Sequence, residues 1–227
     1  MSSKYNNFLT VLLILIIIAI VAIIAFLGVK YYQTYVVKNN SEEFVDTFGD
    51  QTQNNNTTII PPSEEDDENI SFEGIEDTNQ TTNNKPTSDN RKRYNGFLVS
   101  GTIEIPATNL KCPILAQSEY SPKALEASVV ELYGVGLNQV GNTTISGHNY
   151  RNGTFFSNNK KLKVGDKIFI TDETGKRLTY TIYEKFEAEE NYSDYMVRDT
   201  QGAIEISLST CTDDSKARLI ILARANV

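Results

Sequence analysis

The sequence predicts a mainly β domain, a closed or nearly closed barrel of seven or eight short strands with one or two helices, behind an N-terminal membrane anchor. Three observations predict it. From Gly96 onward the chain breaks into short alternating or β-branched runs punctuated by Gly, Asn, Asp and Pro. These runs succeed one another without the regular helical segments that alternating βαβ units would place between them. The first 96 residues differ in composition from the remainder of the chain, which leaves about 130 residues, near the usual size of one domain.

The anchor comes first. No charged residue occurs from Tyr5 to Val29, and "FLTVLLILIIIAIVAIIAFLG" supplies about 20 apolar positions, enough to cross a hydrocarbon core of about 30 Å. The apolar region of a signal peptide runs about 7–15 residues, so this stretch reads as an uncleaved span and residues 1–40 as the anchor. Lys4 lies on one side and Lys30 and Lys38 on the other, so charge bias leaves the orientation open.

Residues 41–96 read as a disordered, acidic, Asn/Thr-rich spacer. Positions 41–90 hold 13 acidic residues and one lysine, a composition that buries too little apolar surface to offset chain entropy. The formal net charge of −8 belongs to this segment, because 97–227 holds 14 Lys and Arg against 16 Asp and Glu. The folded region therefore shows no strong charge bias toward nucleic acid or acidic ligands.

Within 97–227 the strand-like runs are "FLVSGTIEIP", "LKCPIL", "NTTISG", "DKIFIT", "LTYTIYEKFEA", "AIEISLSTC" and "ARLIILARA". "SPKALEASVVELYG" reads as a helix, with Ser121 as N-cap and Pro122 at its first position. "VGDKIFITDETGKRLTYTIYEKFEA" reads as a hairpin turning at Gly175. No phosphate-binding or dinucleotide glycine motif occurs.

Chemistry concentrates near the C-terminus. Period-two alternation puts Ile204, Ile206, Leu208 and Thr210 on one face of their strand, and Glu205, Ser207, Ser209 and Cys211 on the other. A structural thiol would fall in register with the isoleucines; Cys211 falls with the polar residues. Cys112 sits inside an apolar strand and reads as inert, although a Cys112–Cys211 disulfide is the competing possibility. An unperturbed thiol is only a few per cent thiolate at pH 7 and needs a proton-handling partner or a positive neighbour. The one histidine, His148, stands just past a strand in "TTISGHNY". Arg218 begins the strand that returns after "TDDSK" and comes near Cys211 if the two strands pair as a hairpin; a rim ion pair with Asp213 or Asp214 is its alternative use.

"GHN", "LSTC" and "ARLIILA", in that order and together with "GTIEIPATNLKCPIL" and "LKVGDKIFI", resemble the sortases, membrane-anchored cysteine transpeptidases of Gram-positive bacteria. The likeness covers 97–227. It implies an eight-stranded sortase-type β-barrel with Cys211 as nucleophile, His148 as proton donor and acceptor, and Arg218 as stabiliser of the oxyanion or substrate. Thr210, inside the signature, is carried as a substrate contact; Ser207 replaces the family's first threonine in "SLSTC". The resemblance further implies an extracellular catalytic domain on a single-pass anchor. Its substrates would be surface proteins with an LPXTG-like sorting signal, and its acceptor an amine on a cell-wall precursor or pilin. The segment from Lys185 to Gly202 corresponds to the loop that helps select the motif. It is too short for the long helix of class B members, which favours a class A-like or class D-like enzyme. No cofactor is expected; "EAEEN" reads as a solvated face, with a calcium site as the lesser alternative. A tethered adhesion or sensor domain, or a cysteine peptidase, are the rival functions. Papain-like peptidases place the cysteine before the histidine, the reverse of the order here.

Overall fold

The computed structural model describes residues 2–54 and 91–227. After a two-residue strand β1 (Arg93–Tyr94) come β2 (Phe97–Ile105), β3 (Leu110–Leu115), β4 (Val129–Gly134), β5 (Gly141–Ser146), β6 (Lys167–Asp172), β7 (Arg177–Glu189), β8 (Ile204–Cys211) and β9 (Ala217–Ala225). Their order is β2-β3-β4-β5-β8-β9-β7-β6, and β6 pairs back onto β2. The sheet thus closes into the eight-stranded barrel the sequence predicts. β3–β4 and β5–β8 are parallel pairs, and the remaining neighbours are antiparallel.

Alternation along each strand builds two apolar layers. Ile206 and Leu208 of β8 and Ile221 and Ala223 of β9 point inward, where they pack with Ile103, Ile170 and Tyr180. Ile220 and Leu222 point outward and are covered by Tyr195 and Met196 of α3 (Asp194–Val197). That short helix lies in the connection between β7 and β8. β7 itself runs to Glu189, so the first part of the Lys185–Gly202 segment expected as loop is strand.

One run expected as a single helix divides. α2 spans Pro122–Ala127, with Ser121 Oγ accepting from the Ala124 N–H at 3.2 Å, and the continuation is strand β4. The reason lies in two valines just past α2. Val129 packs inside the barrel and Val130 in a cluster outside it, both fully buried. Successive residues reach opposite sides only in a strand.

The larger correction concerns the N-terminus. A single 53-residue helix, α1, runs from Ser2 to Asn54, about 80 Å at about 1.5 Å per residue. It carries one stretch long and apolar enough to cross a membrane. It does not stop at residue 40, where the spacer was expected to begin. Ser41, Val45 and Phe48 are buried, and Phe44 and Phe48 pack with Tyr94, Leu115 and Val130. Ser41 Oγ and Tyr94 Oη share a hydrogen bond of 3.1 Å, and Lys111 Nζ meets Asp46 at 2.8 Å. Positions 41, 44, 45 and 48 follow the i, i+3, i+4, i+7 pattern of one packed helix face, three of them apolar, which the surrounding acidic residues mask in a composition count. The other end of the expected spacer is ordered too, as β1 against β2. Its middle, 55–90, lies outside the described residues.

Candidate active site

Three neighbouring strands carry the three candidate residues to one end of the barrel. β8 pairs antiparallel with β9, and Cys211 stands directly opposite Arg218. On its other side β8 runs parallel to β5, with Ser146 opposite Ser209. Two residues further along each chain are His148 and Cys211. The register extends past the strand end because the Gly147 N–H donates to the Ser209 carbonyl at 3.1 Å and Thr210 Oγ1 donates to the Gly147 carbonyl at 2.7 Å. Glycine is required here: a Cβ at 147 would come within 2.7 Å of Val129 and 2.8 Å of Phe156. The glycine of "GHN" is thus the residue that lets the histidine-bearing end of β5 lie against β8.

Arg218 Nη1 donates to Cys211 Sγ at 2.7 Å, while Nη2 reaches Glu190 Oε1 at 2.6 Å. Arg218 is therefore not spent on Asp213 or Asp214, its alternative partners in the sequence. Asp213 pairs with Lys160 and accepts from Asn149, and Asp214 accepts from Thr212 Oγ1 and the Lys216 N–H. Arg218 thus supplies the positive neighbour beside the thiol that a nucleophilic cysteine calls for. His148, Cys211 and Arg218 line one cleft of about 330 Å³, together with Tyr120, Tyr192 and Thr210. The His148 ring packs on Tyr150, centroids 4.8 Å apart.

Thr210 is buried, and its hydroxyl is engaged by Gly147, so its observed task is to tie the cysteine strand to the histidine strand. Asn149 does similar work, although the sequence pattern does not single it out. Its Nδ2 donates to the Cys211 carbonyl at 3.0 Å and to Asp213 Oδ1 at 2.9 Å, fastening the residue after His148 to the turn after Cys211. Adjacency to the histidine in "GHN" is the available signal. Glu190 as the partner of Arg218 is likewise not evident from the sequence, where it reads only as part of the acidic "EAEEN". Among the described residues no group of three or more His, Cys, Asp or Glu converges as a metal would require.

The two cysteines are both free, so the disulfide alternative falls. Cys112, in β3, is buried inside the barrel, and desolvation pushes its thiol up to about 12. It is inert at neutral pH.

The polar face of β8 is not solvated, contrary to what alternation alone suggests. Glu205, Ser207 and Ser209 are buried under the segment that carries α3. Tyr195 Oη meets Ser209 Oγ at 3.2 Å, Arg198 Nη1 donates to Ser207 Oγ at 2.6 Å, and Arg198 and Arg224 both pair with Glu205. Burial opposes ionisation of Glu205, but hydrogen bonds from Arg224, Tyr183 and Arg198 outweigh it and hold the carboxyl below its ordinary value.

The structure thus brings a thiol with a guanidinium on its sulfur and an imidazole just past the end of the adjacent strand to one cleft on a closed barrel. Residues 103–226 match the family model described as Sortase domain, and the chain belongs to the sortase family. Sortase A of Bacillus anthracis is 32% identical over 127 residues, which are 54% of this chain and 58% of that protein, so the chain spans less than two thirds of the relative's length. Among solved structures, the pilus-related sortase C of Group B Streptococcus is 26% identical with a TM-score of 0.51, covering 57% of this chain and 68% of the other. Clostridium perfringens sortase C with the C-terminal cell wall sorting motif is 25% identical with a TM-score of 0.50, covering 57% and 71%. Sortase C-1 from Actinomyces oris, 22% identical with a TM-score of 0.51 over 56% and 71%, bears on the fold alone.

Proposed function

We propose that this chain is a membrane-anchored cysteine transpeptidase that cleaves an LPXTG-like sorting signal and passes the acyl group to an amine on a cell-wall precursor or pilin. The observation that carries this reading is the meeting of His148, two residues past the end of β5, with Cys211 of β8 and Arg218 of β9 around one cleft. The Clostridium perfringens relative, whose structure includes the C-terminal cell wall sorting motif, supports the substrate class.

In the proposed reaction the Cys211 thiolate attacks the Thr–Gly carbonyl carbon. Donors on Arg218 stabilise the oxyanion that forms. The C–N bond then breaks, and protonated His148 gives its proton to the departing glycine amine, leaving a threonyl thioester on Cys211. The incoming amine attacks that thioester, His148 takes the amine's proton, and the thiolate leaves. The apolar part of α1 holds the catalytic domain at the outer face of the membrane as a single-pass anchor, raising the effective concentration of membrane-bound substrates.

The test uses the full-length chain in detergent with a library of LPXTG-like peptides and an amine, read by intact-mass spectrometry. A thioester adduct on Cys211 and an amine-coupled product are expected, both absent in Cys211→Ala and both kept in Cys112→Ala. Hydrolysis without coupling would favour the peptidase reading. A folded chain that forms no adduct would favour a tethered, non-catalytic domain.

A further inference from the structure

The direction in which α1 arrives fixes which end of the barrel lies next to the membrane. β3 is parallel to β4, β4 is antiparallel to β5, and β5 is parallel to β8, so β8 finishes at the end where β3 begins. Cys211 closes β8, and His148 follows β5 at that same end. α1 arrives there too. Val37, Lys38 and Ser41 line one crevice with Asn109, Lys111 and Phe155, whereas Phe48, further along the helix, packs in a cluster with Leu115 at the other end of β3. The apolar stretch before Lys30 therefore leaves the barrel on the catalytic side.

The gap to the bilayer is short. From Lys30 to Val37 the helix rises about 11 Å at about 1.5 Å per residue, and any tilt only reduces that height. Headgroups extend about 5–8 Å beyond the hydrocarbon, so this end of the barrel stands a few Å outside them, within a Debye length of about 8 Å. Its charge suits that position. The connection from β5 to β6 crosses the end of the barrel, with Phe155, Phe156 and Leu162 in the core and Arg151, Lys160, Lys161 and Lys163 exposed against one acid of its own, Asp166. Lys160 is paired with Asp213, but Lys161 and Lys163 enter no ion pair among the described residues. The other acids of this end, Glu187, Glu189, Glu190, Asp213 and Asp214, sit on β7, just past it and on the β8–β9 turn, across the barrel from β3 in strand order.

We propose that this end of the barrel docks on anionic lipid headgroups through the β5–β6 connection, so that the Cys211 cleft works at the membrane surface. Each Lys or Arg brought near such a surface is attracted to it, and the long stems of these side chains cross the remaining few Å. A zwitterionic surface, without net charge, gives no comparable attraction. The proposal rests on the reading of α1 as a membrane anchor and is independent of the reaction assigned to Cys211.

The experiment uses the full-length Cys211→Ala chain, whose remaining Cys112 is buried, with one bimane-labelled cysteine at a time. Each labelled chain is placed in nanodiscs of phosphatidylglycerol or of phosphatidylcholine that contain a nitroxide-headgroup lipid as quencher. Tyr32→Cys reports on α1 just past Lys30, and Ala107→Cys on the exposed β2–β3 turn at the catalytic end. Glu173→Cys reports on the far end, because β6 runs opposite to β8. Quenching is expected at Tyr32→Cys in both lipids and is not expected at Glu173→Cys. At Ala107→Cys it should be strong in phosphatidylglycerol and several-fold weaker in phosphatidylcholine or in 1 M salt, where the Debye length falls to about 3 Å. Arg151→Gln, Lys161→Gln and Lys163→Gln together should lower the docked-to-undocked ratio at Ala107→Cys about fivefold per cation removed, with Tyr32→Cys unchanged. The salt and lipid comparisons keep the test decisive if that variant folds poorly. An unquenched Ala107→Cys beside a quenched Tyr32→Cys would overturn the docking and leave the anchor standing; if neither is quenched, the anchor reading fails and the docking with it. Quenching at Ala107→Cys that ignores lipid charge and salt, or equal quenching at Glu173→Cys, would also overturn the proposal.

Discussion

The outer face of the β8–β9 ladder carries the same kind of pair twice. Near one end Arg224 stands opposite Glu205, and at the other Arg218 stands opposite Cys211. Each places a guanidinium beside a group that can be an anion. At Glu205 the anion is permanently satisfied: Arg198, Arg224 and Tyr183 all donate to it, and a covering segment excludes water. At Cys211 the sulfur has one guanidinium donor, the residue is only half-buried, and the cleft is open for a substrate. A saturated pair becomes a staple, and an unsaturated pair can do chemistry. What separates them is the number of donors and the cover, since strand geometry is common to both.

The largest break of this comparison is expected at the open pair. Arg218→Ala should lower turnover by about 10²–10³, the usual cost of losing one oxyanion donor, and Arg218→Lys should recover only part because a point charge lacks the planar fork. Steady-state transfer kinetics check it; equal losses at Arg218 and Arg224 would mean that the two pairs do not divide labour as described. Asn149→Ala, which frees the histidine loop from the cysteine turn, should cost about tenfold or more in kcat with KM nearly unchanged, as expected when a catalytic group is misplaced rather than removed.

At the closed pair the expected losses are of stability. Glu205→Gln should destabilise the fold by about 3 kcal/mol, chiefly by leaving the mostly buried Arg198 guanidinium without its anion, measured by denaturant unfolding at neutral pH. The folded carboxyl is held below its ordinary value of 4.5, so its contribution is complete above that pH and is lost as pH falls through the folded value. The acid limb of the stability curve should therefore be shallower in Glu205→Gln than in the parent. The smallest effect belongs to Arg224→Ala. Its side chain is 58% exposed and Arg198 still pairs with Glu205, so a loss of about 1 kcal/mol or less and unchanged turnover are expected.

Much of this was legible in the sequence because it rests on period two. Alternation put Cys211 on the outer face, the "TDDSK" turn implied that Arg218 would pair with it, and β-branched runs marked the strands. What alternation could not convey was the cover over that face. Ser207 and Glu205 could be assigned to the polar face but not to a covered one, because their partners, Tyr195 and Arg198, lie in a segment whose path no local pattern specifies. The same limit hid Asn149 and Glu190, whose partners are 62 and 28 residues away. Val129 and Val130 read as helix for a related reason: their burial on opposite faces depends on β3 and on α1, which arrive from elsewhere in the chain. The helical stripe at 41, 44, 45 and 48 was present in the sequence but outweighed by the acidic residues around it.

The pairing of β6 with β2 has a consequence for crowding. At high local density, unpaired strand edges act as templates for polymerisation. Each of the eight barrel strands pairs with a strand on both sides, the shortest contact being the two-residue pairing of β3 with β4, so no barrel strand offers a whole free edge. Copies can therefore stand close together and collide often without adding strands to one another, so density alone does not commit them to insoluble assemblies.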